Sequence, residues 1–290
     1  MILVQLNGGL GNQLFQYALG RRLSLDRNTE LRFDLSAFNA QKREYKLHHF
    51  KITGSPADPA EVELFLRWEQ HSRLSRICKF MEAHKTYYKQ RIIDERAVAF
   101  DENVLKSPHN VYLRVYWQTE KYFKDITALL IKDLTVKHPL TGQNLELATR
   151  IKSTTAVSLH IRRGDYATDP SINQTHGTLP LEYYRAAIDL ILSQHPNSVF
   201  FIFSDDIPWA KDNLRVLSER VLVDQNSEKT DYEDLRLMSY CQHHIIANSS
   251  FSWWGAWLSS NEDKIVVAPK KWFARKIDSK DLIPENWIKI

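Results

Sequence analysis

The sequence predicts an α/β protein built on parallel, doubly wound sheets. Three observations carry this. Strand-like apolar runs alternate with helical stretches through the second half of the chain. The chain opens as strand, Gly-rich turn, helix. Polar residues able to hold a ligand follow three of the strands directly.

The 290 residues suit two medium domains or one large one. At 43% apolar and 26% charged, the chain can build a packed core, and disorder is not expected. The net charge is +4, from 39 cations and 35 anions. So small an excess does not predict a nucleic-acid partner, but it permits a local basic pocket. Cys78 and Cys241 lie far apart and form no CxxC pattern, so neither a disulfide framework nor a zinc site is indicated. A reducing cytoplasm is the plain expectation. The opening apolar run is too short for a signal peptide or a span. Any action at a membrane would therefore be at the inner face, through peripheral contact at most.

In the first half, residues 2–6 (ILVQL) read as a buried strand and 7–12 as a Gly-rich turn. Residues 13–25 read as a helix with Leu14, Tyr17, Ala18 and Leu25 near one face. A short strand is predicted at 31–33, and helix over most of 58–82 after the loop at Pro56 and Pro59. The β-branched and aromatic run 111–117 (VYLRVYW) predicts a strand. Helix follows over 119–134, then a loop at 139–142, then helix over 143–152. A domain boundary is expected near 153, giving domains 1–152 and 153–290.

The second half alternates. Strands are predicted at 156–161, 198–203, 221–223, 245–247 and 265–268. Helices are predicted from Pro180 to about 194, over 206–217, from a capping box at 230–233 to about 241, and over 251–258.

In such sheets the ligand lies beyond the carboxyl ends of the strands. Arg162, Arg163, Gly164 and Asp165 follow the 156–161 strand. Ser204, Asp205 and Asp206 follow the next, and Asn248, Ser249 and Ser250 follow the strand at 245–247. An arginine fork suits a pyrophosphate leaving group, whose negative charge grows as its bond breaks. Alone, the RRGD segment would read as a structural ion pair with Asp165 as partner. The serines would cap a helix whose free N–H groups can also face a phosphate. Asp205 and Asp206 admit three readings: a base or ribose contact, a Mg²⁺ site, or a helix cap. His160 shares a strand face with Arg162 and reads equally as a nucleotide contact or base, or as a hydrogen-bonded core histidine. Gly9 and Gly11 would let backbone approach a sugar-phosphate, with Asn12 or Gln13 reaching in; a tight turn without a ligand is the plainer reading. The tryptophans of 251–258 are assigned to packing, and His243 and His244 to structure.

On GGLGNQLFQYALGRRL (8–23), YWQTEKYF (116–123), VSLHIRRGDY (157–166), FIFSDD (201–206), NSSFSWWGAWL (248–258) and KIVVAPKKWF (264–273), the chain resembles the bacterial α-1,2-fucosyltransferases of glycosyltransferase family 11. The resemblance implies a GT-B-like pair of Rossmann-type domains with parallel sheets facing a cleft. It implies inverting transfer of L-fucose from GDP-β-L-fucose to the 2-hydroxyl of a terminal galactose, with no metal and no further cofactor. It assigns the β-phosphate contact to Arg162, nucleoside contact to Asp205 or Asp206, and phosphate contacts to Ser249 and Ser250. For the base, the nearest acids are Asp165 and Asp169; a dissociative path would need little base help. Two competing functions are a Mg²⁺-assisted nucleotide-sugar transferase and a glycan-binding protein with a degenerate nucleotide site.

Overall fold

Short apolar segments buried on both faces favour parallel strands under helices, and every strand pair among the described residues is parallel. The computed structural model describes residues 1–40, 43–67 and 84–290. Most of the helix expected over 58–82, and Cys78 with it, lies outside the described residues.

The chain forms two compact units. The first is Met1–Lys137 with Asp278–Leu282, and the second is His138–Ile277 with Ile283–Ile290. The division thus falls fifteen residues before the one expected at 153. The reason is packing: Ala148 and Ile151 are buried in one cluster with Phe201, Phe203 and Leu237, so the 142–152 helix belongs to the second unit. The return of 278–282 to the first unit is fixed by Asp281, which pairs with Lys121 at 2.7 Å and accepts the Phe100 N–H at 3.0 Å.

The first unit contains β1 (Ile2–Gln5), α1 (Leu10–Asp26), β2 (Leu31–Asp34), β3 (Ser55–Pro56), α2 (Pro59–Leu66), β4 (Ile92–Asp94), β5 (Val111–Arg114) and α3 (Thr127–Asp133). The sheet order is β3-β2-β1-β5-β4. β5 is shorter than expected because Val115 and Trp117 take positive φ of 84° and 61°, which ends the extended run. In place of one helix over 119–134 there are two 3₁₀ turns, Glu120–Tyr122 and Lys124–Ile126, leading into α3.

The second unit contains α4 (Gly142–Lys152), β6 (Ala156–Ile161), α5 (Gly164–Thr168), α6 (Pro170–His176), α7 (Leu181–Gln194), β7 (Val199–Ser204), α8 (Ile207–Asn213), β8 (Arg220–Val223), α9 (Asp231–Ser239), β9 (His243–Ile245), α10 (Ser250–Trp257), β10 (Val266–Ala268) and β11 (Ile288–Lys289). The order β11-β10-β9-β6-β7-β8 is the Rossmann arrangement, with its reversal between β6 and β9. One face of the sheet is closed by α7, through Tyr184, Ile188 and Ile191 against Leu159, Ile161 and Ile202. α4 and α9 supply the cluster around Phe201 and Phe203. Trp253 and Trp254 are fully buried, and Trp253 packs on Trp257 and Trp287, as expected of core aromatics. His244 Nδ1 meets the Ser158 hydroxyl at 2.8 Å and His243 Nδ1 accepts the Ile265 N–H, so both histidines serve the sheet. Among the described residues no helix is long and apolar enough to cross a membrane.

Candidate active site

The reversal of strand order leaves a crevice at the carboxyl ends of β6 and β9, because the connections leave in opposite directions there. Both ends carry predicted residues. β6 runs into Arg162 and Arg163, and β9 into Ile246, Ala247, Asn248 and Ser249 before α10 begins.

Arg162 is held from two sides. One guanidinium nitrogen lies 2.9 Å from Asp205 Oδ2, and the other pairs with Asp165. Its guanidinium also sits 5.0 Å from the ring centre of Tyr166, which stacks on His176 at 4.7 Å. Asp205 is fixed in turn by the Arg163 backbone N–H, which donates to Oδ1 at 2.7 Å. The fork is therefore oriented before any ligand arrives, while the Arg162 side chain keeps 21% of its surface exposed. Gly164 permits this: a Cβ there would lie 2.5 Å from Asp205 Oδ2.

Arg163 pairs with Asp206 at 3.3 Å and lies over Trp209 at 4.1 Å from the ring centre. Asp206 Oδ1 accepts the Trp209 N–H, capping α8. The carboxylates thus engage guanidinium and backbone N–H groups; Asp206 takes the helix cap open in the sequence, and its pairing with Arg163 is a further role. Asp169 caps α6, accepting from the Ser171 and Ile172 N–H groups at 2.8 and 3.3 Å. Neither Asp165, paired to Arg162, nor Asp169 stands as an unengaged base.

His160 is 6% exposed and its ring packs on Phe251 at 5.8 Å between centres. Its Nδ1 is buried with no partner among the described residues. Burial, with Arg162 adding to it, pushes the imidazole down to about 3, so His160 is neutral at ordinary pH. At the β9 end, Ser249 accepts the Phe251 N–H at 3.3 Å and caps α10, and Ser250 is the first residue of that helix. Asn248 is a correction. It is 2% exposed, and its amide donates to the carbonyls of His176, Gly177 and Trp272 at 3.0–3.2 Å. Those donors tie three loops together and are not available to a ligand.

In the first unit, the Gly-rich turn follows β1. Gly8 takes φ +73°, a conformation that favours glycine, and Gly9 stands at the N-cap of α1. A Cβ on Gly9 would meet nothing within 4 Å, so backbone there is open to close approach. Gly11 and Gln13 are buried within α1. Gln13 is the second correction: its amide donates to Gly8 O and Glu44 O and accepts the Lys46 N–H, all within 3.0 Å. It is a clamp inside the turn, with both its amide N–H groups and its oxygen engaged by backbone. Asn12 Oδ1 accepts from the Gln118 amide at 2.8 Å. Gln16, which sequence reasoning passed over, accepts the Asn7 N–H and donates to Val115 O, joining the turn to the end of β5.

The glycosyl transferase family 11 model matches residues 1–290. The chain belongs to glycosyltransferase family 11. An α-1,2-colitosyltransferase of Escherichia coli is 33% identical, over 100% of this chain and 99% of its own. The O-antigen biosynthesis glycosyltransferase WbnK of Escherichia coli is 32% identical, over 98% and 99%. Human galactoside α-(1,2)-fucosyltransferase 1 is 28% identical over 37% of this chain and 30% of its own. Among solved structures, fucosyltransferase NodZ from Bradyrhizobium aligns with a TM-score of 0.52 at 12% identity, covering 88% of this chain and 91% of that one. A mutant of Arabidopsis thaliana FUT1 in complex with GDP aligns at 0.53 and 13%, covering 91% and 69%. Those likenesses show the fold, GT-B-like.

This family 11 chain brings Arg162, Arg163, Asp165, Asp205 and Asp206 into one bonded network at β6 and β7. Tyr166 and Trp209, which flank the two guanidinium groups, were missed from sequence. Trp209 was findable, since it stands three residues after Asp206, the spacing of a capped first turn.

Proposed function

We propose that the protein transfers L-fucose from GDP-β-L-fucose to the 2-hydroxyl of a terminal galactose in a glycan, with inversion and without a metal ion. The observation that carries the reading is Arg162, held by Asp205 and Asp165 at the strand reversal with its guanidinium partly open. A guanidinium fork there would meet the β-phosphate as charge develops on the departing GDP. The N–H groups at the start of α10, with Ser249 and Ser250, would add donors to the pyrophosphate. Arg163 and Trp209, with Asp205 and Asp206, would border the nucleoside.

With GDP stabilised as it leaves, the anomeric carbon gains oxocarbenium character, and the acceptor oxygen attacks from the opposite face. The proton then departs late, to a phosphate oxygen of the departing GDP, which lowers the demand for a strong protein base. Asp165 serves by orienting Arg162. The carboxylates of Asp205 and Asp206 already face guanidinium and N–H donors, which supports the metal-free reading.

The 33% identity to an α-1,2-colitosyltransferase favours a second reading, transfer of colitose in place of fucose by the same chemistry. Incubation with GDP-fucose or GDP-colitose and a panel of β-galactosides, in excess EDTA, tests both, with linkage read by NMR. An α-1,2-fucosyl product supports the first reading. Exclusive use of GDP-colitose moves the assignment to the second, and a strict need for Mg²⁺ contradicts the metal-free mechanism.

A further inference from the structure

The second unit carries a cavity of about 480 Å³ between α7 and the end of β10. Its wall is mostly apolar. Leu179 and Pro180 close one side, Tyr183 and Ala186 of α7 the next, and Pro269 and Phe273 the third. The Tyr183 hydroxyl is engaged within the sheet, donating to Ile246 O and Val267 O at 2.6 and 3.1 Å. No acidic side chain lines the cavity, but Lys270 and Lys271 do.

The segment after β10 reads PKKWFARKI (269–277). Its aromatics turn inward, with Trp272 4% and Phe273 8% exposed. Its four cations, Lys270, Lys271, Arg275 and Lys276, are exposed. Backbone bonds fix this division. The Lys270 N–H donates to Ile290 O at 2.7 Å, Trp272 O accepts from the Asn248 amide, and the Ala274 N–H donates to Thr175 O at 2.9 Å. Arg275 donates to the Gln174 side chain, and none of the four cations forms an ion pair among the described residues. Their charge of +4 equals that of the whole chain, so the remaining residues balance. A run of like charge is ordinarily a solvated face. Here two of its lysines rim an apolar cavity, and Ile277, 37% exposed, extends the apolar surface along the same segment.

This combination selects the ligand class. Lysine ammonium groups are point charges suited to phosphate. A nucleotide or a sugar phosphate would also need polar partners for its base or hydroxyls, and besides the lysines the wall offers only the side chains of His176 and Thr178. An acyl chain needs no such partners, and its CH₂ groups gain by leaving water. Apolar insertion and a basic patch are the two signals that together hold a protein at an anionic bilayer, where one alone is marginal. We propose that this cavity and its lysines dock the protein on an anionic lipid surface, an acyl chain entering between α7 and β10 while the lipid phosphate meets Lys270 and Lys271. The inference stands independently of the donor assignment.

Sedimentation with vesicles tests it, using phosphatidylcholine alone and phosphatidylcholine mixed with phosphatidylglycerol. The full chain is expected to sediment with the anionic vesicles and not with the neutral ones, and less as salt is raised. The double variant Lys270→Gln, Lys271→Gln should weaken that binding about 10- to 30-fold. Ala186→Gln, at an exposed position of α7, keeps the charge and fills the cavity with a polar group; it should weaken binding about three- to fivefold. Melting temperature and GDP affinity should stay at wild-type levels in both. Equal binding to the two kinds of vesicle, binding to neither, or unchanged binding in either variant overturns the proposal. Release from vesicles by free glycerol phosphate would make the lysines a simple phosphate site, and a matching loss of GDP affinity would assign them to the nucleotide; each overturns the lipid reading.

Discussion

Replacing Arg162 with alanine separates the site's role in the fold from its role in the chemistry. In the folded protein, Arg162 pairs with Asp165 and Asp205, whose side chains are 32% and 26% exposed. Ion pairs that wet contribute about 1 kcal/mol or less, and Asp205 keeps the Arg163 N–H at 2.7 Å. The melting temperature should therefore drop by only about 2–4 °C. On the proposed function, the same guanidinium would offer a pyrophosphate two parallel charge-assisted bonds that strengthen as the leaving group gains charge. Each is worth about 1.5–3 kcal/mol, so about 3–6 kcal/mol of transition-state stabilisation is at stake, about a 10²- to 10⁴-fold loss in kcat/KM. Arg162→Lys keeps the charge but loses the fork, and should recover no more than about tenfold. GDP release in excess EDTA, beside thermal melts, measures both quantities. A folded alanine variant within about tenfold of wild type would refute the reasoning.

Gly164→Ala sets a Cβ 2.5 Å from Asp205 Oδ2 and must displace that carboxylate from Arg162, so transfer should fall about tenfold or more with Arg162 intact. Gln13→Ala leaves buried partners in the Gly-rich turn unsatisfied; urea unfolding should report about 2–4 kcal/mol lost, with GDP affinity within about threefold of wild type. Asp234 tests the electrostatics. Burial, with Asp231 and Glu233 adding to it, pushes its carboxyl up to about 7. The folded state then binds this proton more tightly than the unfolded chain, whose carboxylates titrate near 4. Its contribution is most favourable below about pH 4 and declines as pH rises to about 7. Asp234→Asn should flatten that decline and stabilise the protein at pH 8 by on the order of 2 kcal/mol, read from denaturation at pH 5 and 8.

The strand ends were legible because apolar runs such as 156–161 and 199–203 stop where chemistry-bearing residues begin, and the alternation of elements fixes which edge they share. The boundary at 137/138 was not, since it depends on which sheet α4 covers, a packing choice among apolar faces. β3, β4 and β11 run two or three residues each, too short for a periodic pattern. α6 did carry a signal, Asp169 before Pro170, the pairing of an N-cap with proline in the first turn. Asn248 and Gln13 turn their amide N–H groups to the backbone, which was not legible for one reason. A polar side chain beside a ligand turn has the same sequence signature whether it faces the ligand or the backbone that shapes the turn. Both side chains are buried, and their amide N–H groups are held by backbone carbonyls.

The central claim is that Arg162, at the reversal between β6 and β9, binds the pyrophosphate of GDP. Calorimetric titration of GDP into wild-type protein and Arg162→Ala, both in excess EDTA, tests it most directly. The account predicts one metal-independent site in the wild type, weakened about 10- to 100-fold in the variant. Equal affinity in the two proteins, or no heat of binding in the wild type, would contradict it.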